Sequence, residues 1–383
     1  MNNALKIFFP GELVFGNGCM AQLPQELLPL KLTRVFIVSI AALKNPTSKL
    51  EHELKALGVE VLTDYSIEQE PYFSDFEKLM KKVEPFNPDA VIGLGGGSVL
   101  DIAKLVSAQL DNDQQLKDYV GNGLLKGRKK HLICIPATSG TGSEASPNAI
   151  LVDDSDNQKK GIISPYLLPD IVFVDPELTF SVPPAITAST GLDALTHCLE
   201  AYTNKFAQPF IDMMAYEGMR LIGANIVTAV HDGRNAGARE KMAMGSLLGG
   251  FCLGPVNTAG VHALSYPLGS MFHLAHGLSN ALLLPYVMEY NIPAAPDRYA
   301  DVAIALGCGR LETDEATALS GVEKIRELIR ACGIPATLNE AGVTDDAIPQ
   351  MAKEAMNVQR LLKNNPREIT ETDAINIYKK AMG

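Results

Sequence analysis

The chain of 383 residues has no Cys-x-x-Cys pair; Cys19, Cys134, Cys198, Cys252, Cys308 and Cys332 are scattered singly. A thiolate zinc module or a redox disulfide motif is thereby excluded, and reduced, mostly buried thiols are expected. Its most basic five-residue block is Lys126 to Lys130, and its 33 basic against 44 acidic side chains leave a net charge of −11. That balance argues against a nucleic-acid surface. No apolar run reaches membrane-spanning length before a Gly or Pro breaks it, and Met1 to Pro10 lacks a cationic segment followed by a continuous apolar one. The expectation is a soluble, cytoplasmic protein with no membrane or nucleic-acid partner. Charged residues are only 20%, too few for wholesale disorder, while 46% hydrophobic residues supply a large core. There is no internal repeat and no low-complexity tract, and at roughly 150 residues per domain the length suits two or three domains.

The first half alternates short β-branched runs with helical stretches, which is how a parallel sheet with covering helices reads in sequence. Strands are expected at Arg34–Ser39, Val59–Thr63, Ala90–Leu94, His131–Ile135 and Ile171–Val174. Thr47 is expected to cap a helix to about Leu57, and Ser74 with Glu77 to form a capping box opening a helix to about Val83. From about Pro184 strand-like runs vanish, and Ala, Leu and Met recur at helical spacing, as in Asp212 to Leu221 and Arg239 to Leu248. The reading is an α/β domain over 1–180 and an all-helical domain over 181–383, joined near Asp175 to Pro184.

Two strand ends carry loops rich in Gly and hydroxyls. Gly95-Gly96-Gly97-Ser98 lies between a strand and a helix, where backbone N–H groups and the positive helix end stabilise a diphosphate. The pattern departs from the usual dinucleotide fingerprint, which follows the first strand and has a third spaced Gly and a later acid. A tight turn is the plain alternative. A second loop, Thr138-Ser139-Gly140-Thr141-Gly142-Ser143, tips the reading toward ligand binding, since open α/β sheets bind at strand ends.

Only seven histidines occur, and three fall with an aspartate into one pattern. Asp193 and His197 are four residues apart, so on a helix both project from one face. His262 and His276 follow at long range among Gly and small residues. Three imidazoles and one carboxylate suit Fe(II) or Zn(II) rather than Mg or Ca. Ordinary readings exist for each: an i,i+4 hydrogen bond for Asp193 and His197, and a satisfied core histidine for His262. His273 and His276 are close enough for either to be the ligand. His52, His131 and His231 lie in unremarkable contexts.

These residues resemble the iron-dependent alcohol dehydrogenases almost from end to end: Pro10 to Gly16, Gly95-Gly96-Gly97-Ser98-x-x-Asp101-x-x-Lys104, Thr138 to Glu144, Gly191 to His197, and His276-Gly277-x-x-Asn280. The resemblance implies a Rossmann-like, mostly parallel N-terminal dinucleotide-binding domain and an all-α C-terminal metal and substrate domain, the architecture of dehydroquinate synthase, with the metal in the cleft between them. It implies metal ligation by Asp193, His197, His262 and His276. It implies cofactor contacts from Gly95, Gly96, Gly97, Ser98, Asp101, Thr138, Ser139, Thr141 and Lys159, with Lys160 as the fallback, and a substrate space lined by Asn148 and Leu253. The expected reaction is hydride transfer between a small primary alcohol or aldehyde and NAD or NADP, in a homo-oligomer.

Two departures bear on detail. Many relatives carry an aspartate after the first strand to accept the adenosine ribose hydroxyls; here the chain reads Ser39-Ile40-Ala41, so NADP is expected to be tolerated or preferred. Tyr266 stands where many relatives place another histidine, so a relay assigned to that histidine does not transfer; Tyr266 or His273 is the candidate in its place, with pocket wall as the ordinary reading of each. The competing functions are a dehydroquinate synthase-like lyase, a maleylacetate-type reductase, and a nucleotide-binding protein without catalysis. The first two would hold multiply charged acids, yet Thr196 to Ala201 and Val256 to Gly277 contain no Lys or Arg. The third leaves the Asp193, His197, His262 and His276 pattern unexplained.

Overall fold

The computed structural model describes residues 5–383. In chain order the first part runs β1 (Glu12–Phe15), α1 (Leu23–Glu26), β2 (Arg34–Val38), α2 (Lys44–Ala56), β3 (Glu60–Asp64), α3 (Phe73–Val83), β4 (Ala90–Gly95), α4 (Gly97–Gln109), β5 (Gly121–Asn122), β6 (His131–Pro136), β7 (Asn148–Asp153), β8 (Gln158–Ile163) and β9 (Ile171–Val174). The rest is helical: α5 (Pro184–Tyr202), α6 (Pro209–His231), α7 (Ala236–Leu253), α8 (Gly260–Phe272), α9 (His276–Asn291), α10 (Pro296–Ala305), α11 (Asp314–Ala331), α12 (Ile348–Ala355), α13 (Gln359–Leu362) and α14 (Glu371–Met382).

The chain divides into two compact units, one holding Ile7–Thr138 and Gly142–Thr179, the other Phe180–Gly383 together with Ser139–Thr141. In the sheet unit six strands pair in parallel in the order β1-β9-β6-β4-β2-β3. Val35, Ile37, Ile92, Ile133 and Phe173 on one face and Phe36, Val38, Val91 and Leu132 on the other are all buried, as parallel strands covered on both faces require. At Gly93 a Cβ would lie 2.8 Å from the Ala103 Cβ, so its absence lets α4 settle on β4. That fixes where α4 begins, directly after the strand. A second small sheet, β5-β8-β7, contains the antiparallel hairpin of β7 and β8, which alternation in the sequence did not reveal; neither did it reveal β1.

Two helix starts differ from expectation. Thr47 lies inside α2 rather than capping it, its hydroxyl donating to the Leu43 carbonyl at 2.7 Å. Pro46 fits the first turn, where no intrahelical donor is needed, so the helix starts earlier. Ser74 and Glu77 do not form a capping box: the Asp75 carboxylate accepts the Tyr72 N–H at 3.1 Å, while Ser74 donates to Asp154 at 2.7 Å. All six cysteines are free, and only Cys308 is partly exposed. No helix among the described residues is long and apolar enough to cross a membrane.

Candidate metal centre and cofactor loops

Helical spacing places Asp193, His197 and Glu200 along one stripe of α5, all buried. His262 enters from the first turn of α8, and His276 is the first residue of α9. Their rings converge on a single atom. The Nε2 atoms of His197, His262 and His276 stand 3.8, 3.6 and 3.8 Å from Asp193 Oδ1. Asp193, His262 and His276 offer ligand atoms all within 4.8 Å of one another. The His197 and His262 rings stack at 4.8 Å, and the His262 and His276 rings meet edge-on at 5.2 Å. Donors about 2.1 Å from a tetrahedral ion stand roughly 3.4 Å apart, so Asp193, His262 and His276 fit one divalent transition metal, with His197 beside them through its approach to Asp193. The choice between His273 and His276 is geometric: His276 reaches Asp193, whereas His273 closes α8 in a left-handed conformation and makes no contact with that carboxylate.

Close backbones make this convergence feasible. A Cβ at Gly277 would lie 2.2 Å from the Ser189 carbonyl oxygen, and one at Gly249 would lie 3.4 Å from the His197 Cβ. The electrostatics are equally specific. Burial alone would raise the Asp193 carboxyl, but His197, His276 and His262 overcome it and hold it well below the usual carboxylate range. Burial pushes His197 down. For His262 burial also pulls downward, yet Glu200 and Asp193 outweigh it and raise the ring to about 10. Carboxylates that retain a proton on that imidazole equally favour a cation in its place.

Sequence reasoning missed Glu200. Its carboxylate accepts the Ala259 N–H at 3.0 Å, the Val261 N–H at 2.6 Å and the His262 Nδ1 proton at 2.6 Å, leaving Nε2 aimed at Asp193. It neutralises the start of α8 and fixes the ring at once. The signal available was its position seven residues after Asp193 on the same face. Asn280 was also left without a role. Its Nδ2 donates to Asp193 at 2.7 Å and lies 3.1 Å from His262 Nε2, while its Oδ1 and the His197 Nδ1 are buried without a partner. Tyr266 stands one turn beyond His262, its ring 6.0 Å from His276. Leu253 is buried at the end of α7.

In the sheet unit Gly95 ends β4, Gly96 precedes α4 and Gly97 opens it, and no side chain caps the helix's first turn. A Cβ on Gly95 would strike Val99 at 2.8 Å, a packing demand; one on Gly96 would make only ordinary contact with Thr138. A methyl group would thus be tolerated at Gly96, and a helix start with free N–H groups, as at Gly97 and Ser98, is the kind of place that attracts a phosphate. Asp101 and Lys104 are bonded to neighbouring segments of the sheet unit. Asp101 accepts from the Ser143 hydroxyl at 2.6 Å and the Ile150 N–H at 2.9 Å, and Lys104 Nζ donates to the Ser146 and Asn148 carbonyls at 2.9 and 2.8 Å. Together they clamp the hydroxyl-rich loop and β7 onto α4. Ser139 Oγ and Asn148 Oδ1 are buried without partners, as side chains awaiting a ligand are. Thr141 lies in the same loop, grouped with the helical unit. Lys159 on β8 pairs with Glu70 at 2.6 Å and Lys160 with Asp156. At the end of β2, Ser39 is buried with its hydroxyl 3.0 Å from that of Thr47. Asn148 lies in the sheet unit and Leu253 in the helical one.

Residues 10–176 match the family model described as iron-containing alcohol dehydrogenase, and 187–382 match that of the C-terminal part of the Fe-containing alcohol dehydrogenase family. Long-chain-alcohol dehydrogenase 1 of Geobacillus thermodenitrificans is 39% identical, the match covering 98% of this chain and 96% of that protein. Among solved structures, a 1,3-propanediol oxidoreductase superposes with a TM-score of 0.95 at 30% identity, over 99% of this chain and 100% of that one. A sulfoacetaldehyde reductase from Bifidobacterium kashiwanohense in complex with NAD+ does so with a TM-score of 0.88 at 26% identity, over 99% of both chains.

Proposed function

The chain belongs to the iron-containing alcohol dehydrogenase family and is an oxidoreductase of alcohols and aldehydes; from that premise we propose its metal, its cofactor and the part each residue plays. Asp193, His197, His262 and His276 hold one divalent ion, Fe(II) in our reading, with Zn(II) satisfying the same donors. The observation that carries this is three imidazole Nε2 atoms within 3.8 Å of one carboxylate oxygen. When bound, a divalent cation lowers the pKa of an alcohol hydroxyl and polarises an aldehyde, and a nicotinamide dinucleotide takes or gives the hydride.

The chain's own groups do the rest. Gly95, Gly96, Gly97 and Ser98 receive the diphosphate at the start of α4, assisted by Thr138, Ser139 and Thr141, while Asp101 holds that loop in place from behind. Lys159 supplies a cation to the cofactor by exchange from Glu70. Glu200 retains the proton on His262 Nδ1, so that Nε2 presents its lone pair. Asn148 and Leu253 line the substrate space, and Tyr266 and His273 carry the hydroxyl proton to solvent. With Ser39 rather than a carboxylate following β2, a 2′-phosphate meets no repulsion there, so NADP is accepted as well as NAD. We assign the enzyme to the cytoplasm as a homo-oligomer, acting on small primary alcohols and their aldehydes.

The test is anaerobic purification, measurement of bound metal, and assay of NAD and NADP reduction with a panel of primary alcohols and diols. One metal per chain is expected in the wild type and almost none in His262→Ala, with turnover following the metal. A His262→Ala protein that kept both would sink the ligand assignment, and strong preference for NAD would sink the NADP reading.

A further inference from the structure

One cation approaches the cluster from a remote stretch of sequence. Arg360, on α13, donates Nη2–H to the Tyr266 hydroxyl at 2.8 Å, across 94 positions, and its guanidinium carbon lies 5.8 Å from the Tyr266 ring centre. Tyr266 in turn packs beside His276 at 6.0 Å, and the His276 side chain is 29% exposed. The segments surrounding the cluster, Thr196–Ala201 and Val256–Gly277, hold no Lys or Arg, so α13 brings a guanidinium beside segments that have none of their own. No carboxylate lies within ion-pair distance of Arg360 among the described residues, and a neutral phenol oxygen takes only one of its five donors. A guanidinium steadied by one hydrogen bond, with its remaining N–H groups uncommitted, suits a carboxylate or sulfonate, which it can grip through two parallel bonds.

We propose that Arg360, positioned by Tyr266, determines specificity and that the preferred substrates are short aldehydes or alcohols with a terminal carboxylate or sulfonate. The inference rests on the dehydrogenase reading and names the substrate class of that same site. The anionic group takes no part in the chemistry. In reduction the hydride passes from nicotinamide to the carbonyl carbon and the proton comes from solvent, leaving the anion unchanged. Since the tail is bound alike before and during reaction, its contribution falls on KM rather than kcat.

The experiment compares succinic semialdehyde with butanal, both of four carbons, as substrates of the metal-loaded wild type, Arg360→Gln and Arg360→Lys. The ratio of kcat/KM for the anionic over the neutral aldehyde is expected to fall about tenfold in Arg360→Gln, or about 1.4 kcal/mol, mainly through KM, with Arg360→Lys between. A purely structural tie from α13 to α8 would lower both substrates together and leave the ratio alone. A fall of less than about fivefold therefore overturns the proposal. A second measurement needs no variant: added sodium chloride should raise the wild-type KM for succinic semialdehyde and not for butanal, and equal responses overturn it too. Turnover of butanal with an unmoved ratio removes only this inference. Turnover of neither aldehyde removes the dehydrogenase reading and this inference with it.

Discussion

Asp193, His197 and Glu200 share a stripe because α-helical spacing gives them no alternative, yet they differ in how much the sequence alone could say of them. The pair four apart was legible as a unit. Glu200 was not, because its worth depends on the N–H groups of Ala259 and Val261 and the ring of His262, about sixty positions away. Replacing Glu200 by Gln keeps the volume but removes the charge that holds the His262 proton. Metal affinity should drop about 10- to 100-fold, measured by equilibrium dialysis with metal analysis, and the chain should lose roughly 1–3 kcal/mol as buried N–H groups lose their acceptor. Unchanged affinity would reduce Glu200 to a helix-start partner. Arg360 illustrates the same blindness: the local sequence contained no cation, and α13 supplied one.

The elements themselves were read from texture. Continuous apolar runs bounded by Gly and Pro marked the central strands, and the loss of such runs after Pro184 marked the helices. The failures were local. Thr47 and Ser74 have cap chemistry, but Pro46 already sits in the first turn of α2 and Asp154 already occupies Ser74. The β7–β8 hairpin escaped because Gln158, Lys159 and Lys160 interrupt its apolar alternation. How closely elements approach is a separate matter, and glycine decides it. Gly277→Ala would drive a methyl group into the Ser189 carbonyl of α5, backbone that cannot rotate away, and so push α9 and its His276 outward. We expect a loss of about 1–3 kcal/mol in urea unfolding together with lowered metal content. An unshifted midpoint with full metal would mean that α9 is not held as described.

Stability across pH belongs to the whole molecule, and one buried acid should leave its mark there. Burial pushes the Glu144 carboxyl up to about 7, against the pull of Lys104. A carboxyl whose pKa is higher folded than unfolded binds more protons in the native state, so its contribution is intact at low pH and disappears as pH rises from about 4.5 through 7. Relative to Glu144→Gln, the metal-loaded wild type should therefore weaken progressively over that window and stay weaker above it, by on the order of 3 kcal/mol. Denaturant melts at about pH 5 and about pH 8 check this; a gap that does not widen between them refutes it.

By itself the sequence determined the two kinds of structure, the parallel sheet with its glycine loop after β4 and the helical half, and it singled out an aspartate and histidines as a metal set. It could do so because strand and helix periodicity, turn chemistry and i,i+4 spacing are local. Only the tertiary structure decided that His276 rather than His273 meets Asp193, that Asp101 and Lys104 brace a loop, that Glu200 joins the cluster, and that Arg360 reaches Tyr266. Those facts depend on which distant backbones can come within reach of one another, and close approach of this kind is set by packing between elements rather than by neighbours along the chain.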